Sequence, residues 1–138
     1  MTKRLVTIPT VSVTRVIDVD GRKVGYLFFR NFVQPSVAAL DEAFTVLRDA
    51  QVSELVLDLR YNGGGYIKTA RLLADLLGGG LADRVMFDLE NNALQSGFDE
   101  RVLFAPPAGA VPFGRIAFIT TGSSASASES ASGSSAAA

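Results

Sequence analysis

The chain contains no histidine and no cysteine, and these two absences exclude more than any residue it carries. Without histidine, neither a Ser-His-Asp triad nor an HExxH metal site can be built from it. Without cysteine there are no disulfides, no thiolate nucleophile and no cysteine-ligated metal. Any hydrolytic base must therefore be Lys, Asp or Glu, or come from outside these residues. An excess of either charge is also missing. Thirteen Lys and Arg against 14 Asp and Glu give a formal net charge of -1, which excludes the broad basic footprint of a nucleic-acid-binding protein. No apolar run reaches the ~18 residues of a membrane span, and no apolar signal core follows Lys3 and Arg4. What is there is 138 residues, 48% of them hydrophobic. That is one domain or part of one, with enough apolar material for a core.

Residues 1–12, broken by Pro9, read as an N-terminal linker. Arg15–Val19 alternates like a strand, Asp20-Gly21 is the preferred pair for a two-residue hairpin turn, and Val24–Phe29 is the returning strand. Pro35-Ser36 opens a helix with Val37, Leu40, Phe44 and Leu47 on one apolar face. Leu55–Leu59 is a short apolar run, as expected of a parallel strand covered on both faces. Gly63-Gly64-Gly65 ends it. A second helix carries Ile67, Ala70, Ala74 and Leu77 on one side and stops at Gly78-Gly79-Gly80. Val85–Phe87 reads as a strand, residues 89–113 as a polar, Pro-rich excursion or lid, and Ile116–Thr120 as a last buried strand. From the returning strand onward the order is strand–helix–strand–helix–strand–strand, an α/β layout. Residues 123–138 shift to 8 Ser, 6 Ala, 1 Gly and 1 Glu; Ser130–Ala138 reads as a flexible or truncated tail.

Two segments can carry chemistry. Asp58-Leu59-Arg60-Tyr61-Asn62-Gly63-Gly64-Gly65 follows a strand. Three glycines allow positive φ and leave backbone N–H groups uncovered, so the turn can aim them at an anion. It can equally be a flexible turn, with Asp58 and Arg60 pairing or capping the loop. Neither GxGxxG nor GK[ST] is present, so a nucleotide site is not indicated. The second segment is Thr121 to Glu129. Ser126-x-x-Glu129 is a helix capping box, and a serine at a helix start also stands where the dipole favours negative charge. Both segments follow the carboxyl ends of strands, where open α/β sheets place their ligands. Together they supply a nucleophile and two oxyanion donors.

Three stretches carry a resemblance: Val24-Gly25-Tyr26-Leu27 with Asn31-Phe32, Leu57 to Gly65, and Gly122 to Glu129. In that order they resemble the C-terminal processing (tail-specific) protease family of serine peptidases. The resemblance spans residues 13–129 and implies a partial peptidase catalytic domain with the β-β-α arrangement of the ClpP and crotonase folds, incomplete here. It implies that Ser126 is the nucleophile, that the backbones of Ala127 and of Gly64 or Gly65 form the oxyanion hole, and that Glu129 supports the base. It implies a peptide or protein substrate and no cofactor or metal. Tyr61 to Tyr66 looks closest to envelope-associated bacterial members, so the implied location is the periplasm or cell envelope.

The sequence also departs from the family. The family's lysine base lies some twenty to thirty residues beyond the serine, and Lys3, Lys23 and Lys68 do not match it. Lys68 reads as a solvated surface residue. The expectation is thus a Ser/Lys endopeptidase whose base lies beyond this chain, the 138 residues being nearly inactive alone. A non-catalytic peptide- or ligand-binding relative and a crotonase-like acyl-thioester enzyme remain open.

Overall fold

A computed structural model describes residues 8–89, Gly97 and 100–125. The hairpin forms where the Asp-Gly pair places it. Strand β1 (Val11–Val19) runs antiparallel to β2 (Arg22–Phe29). Asp20 and Gly21 both take positive φ, 52° and 78°, the backbone of a type I′ turn. Strand β1 starts at Val11, earlier than local alternation indicates and within the stretch read as a linker. Pairing decides its length: Val11 still lies opposite Phe29, and Arg30 N–H donates to Thr10 O at 2.7 Å.

Helix α1 (Ser36–Asp49) returns the chain to β3 (Glu54–Asp58), which lies parallel to β2. Helix α2 (Ile67–Leu77) follows the glycine loop. Strands β4 (Val85–Leu89) and β5 (Glu100–Leu103) form a separate antiparallel ribbon, and β6 (Arg115–Ile119) joins β3 in parallel. The main sheet has the order β1-β2-β3-β6. Among the described residues no helix is long and apolar enough to cross a membrane.

The core lies between the two helices and one face of this sheet. Leu27 and Phe29 of β2, Leu55 and Leu57 of β3, Leu40, Phe44 and Leu47 of α1, and Leu73 of α2 are all buried there. Period-2 alternation sends Val24, Tyr26, Phe28 and Val56 to the opposite face, where they are half-buried. Strand β3 therefore differs from the expectation of cover on both faces. Among the described residues helices cover only one, because its inward set is Leu55, Leu57 and Leu59 alone. Gly25 leaves room for the Leu47 side chain of α1, since a Cβ there would stand 2.7 Å from Leu47 Cδ2.

Two apolar positions assigned to helix faces point elsewhere. Val37 is 45% exposed and Ile67 61%, while Ala43 of α1 and Leu73 of α2 take the inward positions. The 89–113 excursion contains β5. Its Val102 packs with Met86, Phe104 and Ala74 in a second small core, and Val111 joins the main one. Proline content did not prevent this, because Pro106, Pro107 and Pro112 all follow β5 rather than interrupting it.

Leu57 is fully buried at the centre of the main core. Leu57→Ala is expected to lower unfolding stability by about 2–5 kcal/mol, read from the urea midpoint. A loss below about 1 kcal/mol would place the core elsewhere.

Candidate active site

Strand β3 ends in a carboxylate. Asp58 lies opposite Phe28 of β2 and its side chain is fully buried. Its oxygens accept hydrogen bonds from the Tyr26 hydroxyl at 2.6 Å, the Arg60 backbone N–H at 3.0 Å and the Arg60 guanidinium at 2.7–3.1 Å. Burial pushes this carboxyl up. The Arg60 guanidinium, the Tyr26 hydroxyl and the Arg60 N–H outweigh burial and hold it below the ordinary carboxylate range. The same contacts raise Tyr26, chiefly through its hydrogen bond to Asp58, and raise Arg60, again chiefly through Asp58. Asp58 and Arg60 thus pair, as one reading of the sequence anticipated. The Tyr26 contact was not foreseen.

Beyond Arg60 the chain reverses. Tyr61 takes φ +65°, uncommon for an aromatic residue, with its ring exposed. The turn brings Asn62 N–H onto Leu59 O at 3.0 Å. Asn62 is fully buried. Its Nδ2 donates to Phe29 O at 3.1 Å, and its Oδ1 accepts Gly64 N–H at 3.0 Å. The last contact is an Asx turn, the standard local use of asparagine before glycine.

Gly64 and Gly65 take φ of +97° and +143°. Their segment lies beside the β2–α1 connection: Phe32 N–H donates to Gly64 O at 3.0 Å, and Tyr66 N–H to Phe32 O at 2.7 Å. A Cβ on Gly65 would stand 2.2 Å from Phe32 O, so only glycine fits. The two glycine N–H groups differ. That of Gly64 is buried and bonded to Asn62. That of Gly65 makes no hydrogen bond among the described residues, and Gly65 is exposed.

The turn after β6 docks on this loop. Ser124 Oγ donates to Leu59 O at 2.7 Å and accepts Thr121 N–H at 3.1 Å. Ala125 N–H points at Asn62 O at 3.3 Å. The two segments singled out from the sequence are therefore in contact as far as Ala125. Ser126, Ala127 and Glu129, and with them the capping box expected of Ser126 and Glu129, lie outside the described residues. Sequence reasoning missed Asn62 and Ser124. An asparagine two residues before a glycine was the available signal for Asn62; Ser124 sits in a Ser/Ala run that gives none.

A groove of about 590 Å³ opens beside Gly65, lined by Gln34, Val37, Tyr66, Ile67, Lys68 and Thr69. The outward-facing Val37 and Ile67 line it, which accounts for their exposure. Lys68 stands at the surface, as expected. Among the described residues no group of three or more carboxylates is placed to hold a metal ion.

The sequence model of peptidase family S41 matches residues 23–135. The chain is similar to a chloroplastic C-terminal processing peptidase from Tetradesmus obliquus, 30% identical over 114 residues. That match takes in 70% of this chain and 25% of the relative, so the chain spans about a quarter of that relative's length. A solved Bacteroides fragilis structure assigned to the S41 proteases superposes with a TM-score of 0.82 and 26% identity, over 93% of this chain and 36% of that one. The photosystem II D1 C-terminal processing protease gives 0.73 and 27%, over 94% and 34%. The α/β arrangement of these neighbours is the one described above.

The depressed Asp58 carboxyl fixes the sign of a pH effect. Its contribution to stability is complete above the unfolded value of about 3.9 and is lost as pH falls through the lower folded value. Asp58→Asn is expected to cost about 2 kcal/mol at pH 7, with a difference from the parent that shrinks as the pH is taken below about 3.9. Equal urea midpoints for parent and variant at pH 7 would contradict this.

Proposed function

Because the chain belongs to peptidase family S41, we propose that it is the nucleophile-bearing part of a serine endopeptidase of the C-terminal processing type. Ser126 is the nucleophile, and a lysine beyond these residues is the general base. The observation that carries this reading is the docking of the Ser124-Ala125 turn onto the glycine loop, at 2.7 Å to Leu59 O and 3.3 Å to Asn62 O. Ser126 is the next residue, and consecutive Cα atoms are about 3.8 Å apart. The described chain thus reaches the glycine loop one residue short of the proposed nucleophile.

In the proposed reaction Ser126 Oγ attacks the carbonyl carbon of the scissile peptide bond and its proton passes to the neutral lysine. Burial keeps such a lysine unprotonated near neutral pH. The carbonyl oxygen becomes an oxyanion held by the N–H groups of Gly65 and Ala127. Of the two glycines first considered, Gly65 is the one whose N–H is not already bonded to Asn62. When the intermediate collapses, the C–N bond breaks and the lysine returns the proton to the leaving amine. Water then hydrolyses the acyl-enzyme. Glu129 supports the base. Peptide or protein is the substrate, and the groove beside Gly65 is placed to take one of its side chains. The bacterial periplasm or cell envelope belongs to this reading by resemblance alone; the Tetradesmus relative is chloroplastic.

In the full-length protein, Ser126→Ala is expected to abolish peptide cleavage and leave the melting temperature unchanged. Cleavage at the parent rate would sink the assignment. The 138 residues alone are expected to show almost no Ser126-dependent turnover, because the base is elsewhere; robust cleavage by them would show that the base lies within.

A further inference from the structure

Asn62 touches three separate parts of the site at once. Through Nδ2 it holds Phe29 O, the end of β2; through Oδ1 it holds Gly64 N–H; through its own carbonyl it receives Ala125 N–H. It is fully buried. A buried amide costs free energy unless its polar atoms are matched, and a fold that only needed volume here would be served by leucine. The amide is planar, so its donor and acceptor are held at a fixed separation, and with them Phe29 O and Gly64 N–H.

That geometry decides which backbone N–H faces the substrate. Gly64 N–H is turned inward onto Oδ1. The next peptide unit has its carbonyl, Gly64 O, bonded to Phe32 N–H. In a trans peptide the N–H points opposite to the C=O, and none of the peptide bonds described is cis. Gly65 N–H therefore points away from Phe32, toward the exposed side of the loop. Release of Gly64 N–H from Asn62 would leave this unit held through the Phe32 contact alone, on glycines that impose little restriction of their own.

We propose that Asn62 is a positioning residue for peptide hydrolysis. It fixes the Gly65 N–H as oxyanion donor and ties the glycine loop to the turn that carries the nucleophile. This rests on the reading of Ser126 and Gly65 given above. Asn62 acts through Gly64 and Ala125.

The test uses the full-length protein with Asn62→Ala and Asn62→Ser. The two variants leave nearly the same cavity, but the serine hydroxyl makes the same turn onto the backbone, more weakly. Cleavage kinetics are measured beside the affinities for two probes, a substrate-derived peptide aldehyde, which forms an oxyanion-like adduct on serine, and the same peptide ending in an amide. For Asn62→Ala we expect kcat to fall about 10–100-fold with KM within about twofold, aldehyde affinity to fall in step, and amide affinity to hold. Asn62→Ser is expected to lie between parent and Ala. Losses that strike both probes equally, kcat within about twofold of the parent in folded variants, or failure of both variants to fold would make Asn62 a structural brace and overturn the proposal. Failure of the underlying reading looks different: the Ser126→Ala control would then keep its turnover.

Discussion

The exit of β3 imposes the constraint on which the site depends. The chain leaves a buried strand and runs through Asp58, Asn62 and Gly64, all buried, with no regular ladder to satisfy its polar groups. Each inward-facing group has to find a partner, or cost free energy comparable to a lost hydrogen bond. The partners come from three directions. Strand β2 supplies the Tyr26 hydroxyl and Phe29 O, the β2–α1 connection supplies the Phe32 backbone, and the turn after β6 supplies Ser124 and Ala125. Among the described residues no buried side-chain polar atom is left without a partner. The loop is irregular but not loose. Its glycines serve close backbone approach, as the 2.2 Å contact a Gly65 Cβ would make with Phe32 O demonstrates.

The electrostatics of the segment divide in two. The Asp58 carboxylate is neutralised on the spot by Arg60 and hydrogen-bonded by Tyr26, so its charge does not oppose an anion forming farther along the loop. Directly after Gly65, α2 begins. No acidic residue stands in its first turn, and Lys68 does. The positive end of the helix dipole therefore adds to the exposed Gly65 N–H. Backbone dipoles fixed before reaction stabilise a developing charge without reorganising. Under the proposed mechanism this suits a site to which these residues contribute no histidine, where a neutral lysine supplies only the proton transfer.

Much of this was legible in the sequence, for identifiable reasons. The Asp20-Gly21 hairpin was readable because turn chemistry is local. Helices α1 and α2 were readable because their buried faces repeat at helical spacing. The start of β1 was not, because its first residues are ordered by pairing with β2 across the sheet. Val37 and Ile67 were misplaced because periodicity cannot distinguish an apolar residue in the core from one lining a groove. In the site, the strand-end glycines and the serine turn stood out through residue type and order. What tied them together did not. The bonds from Asn62 to Phe29, 33 residues away, and from Ser124 to Leu59, 65 residues away, are long-range and leave no pattern in sequence.

In the proposed mechanism the loop presents the Gly65 N–H, not the Gly64 N–H, to an acyl oxygen on Ser126. The most direct measurement is a crystal structure of the full-length protein carrying a peptide boronate or aldehyde. The expected result is a covalent bond from Ser126 Oγ, an adduct oxygen within hydrogen-bonding distance of Gly65 N, and Gly64 N–H still on Asn62 Oδ1. An adduct on another residue, or an oxygen held by Gly64 N with the Asn62 contact broken, would contradict it.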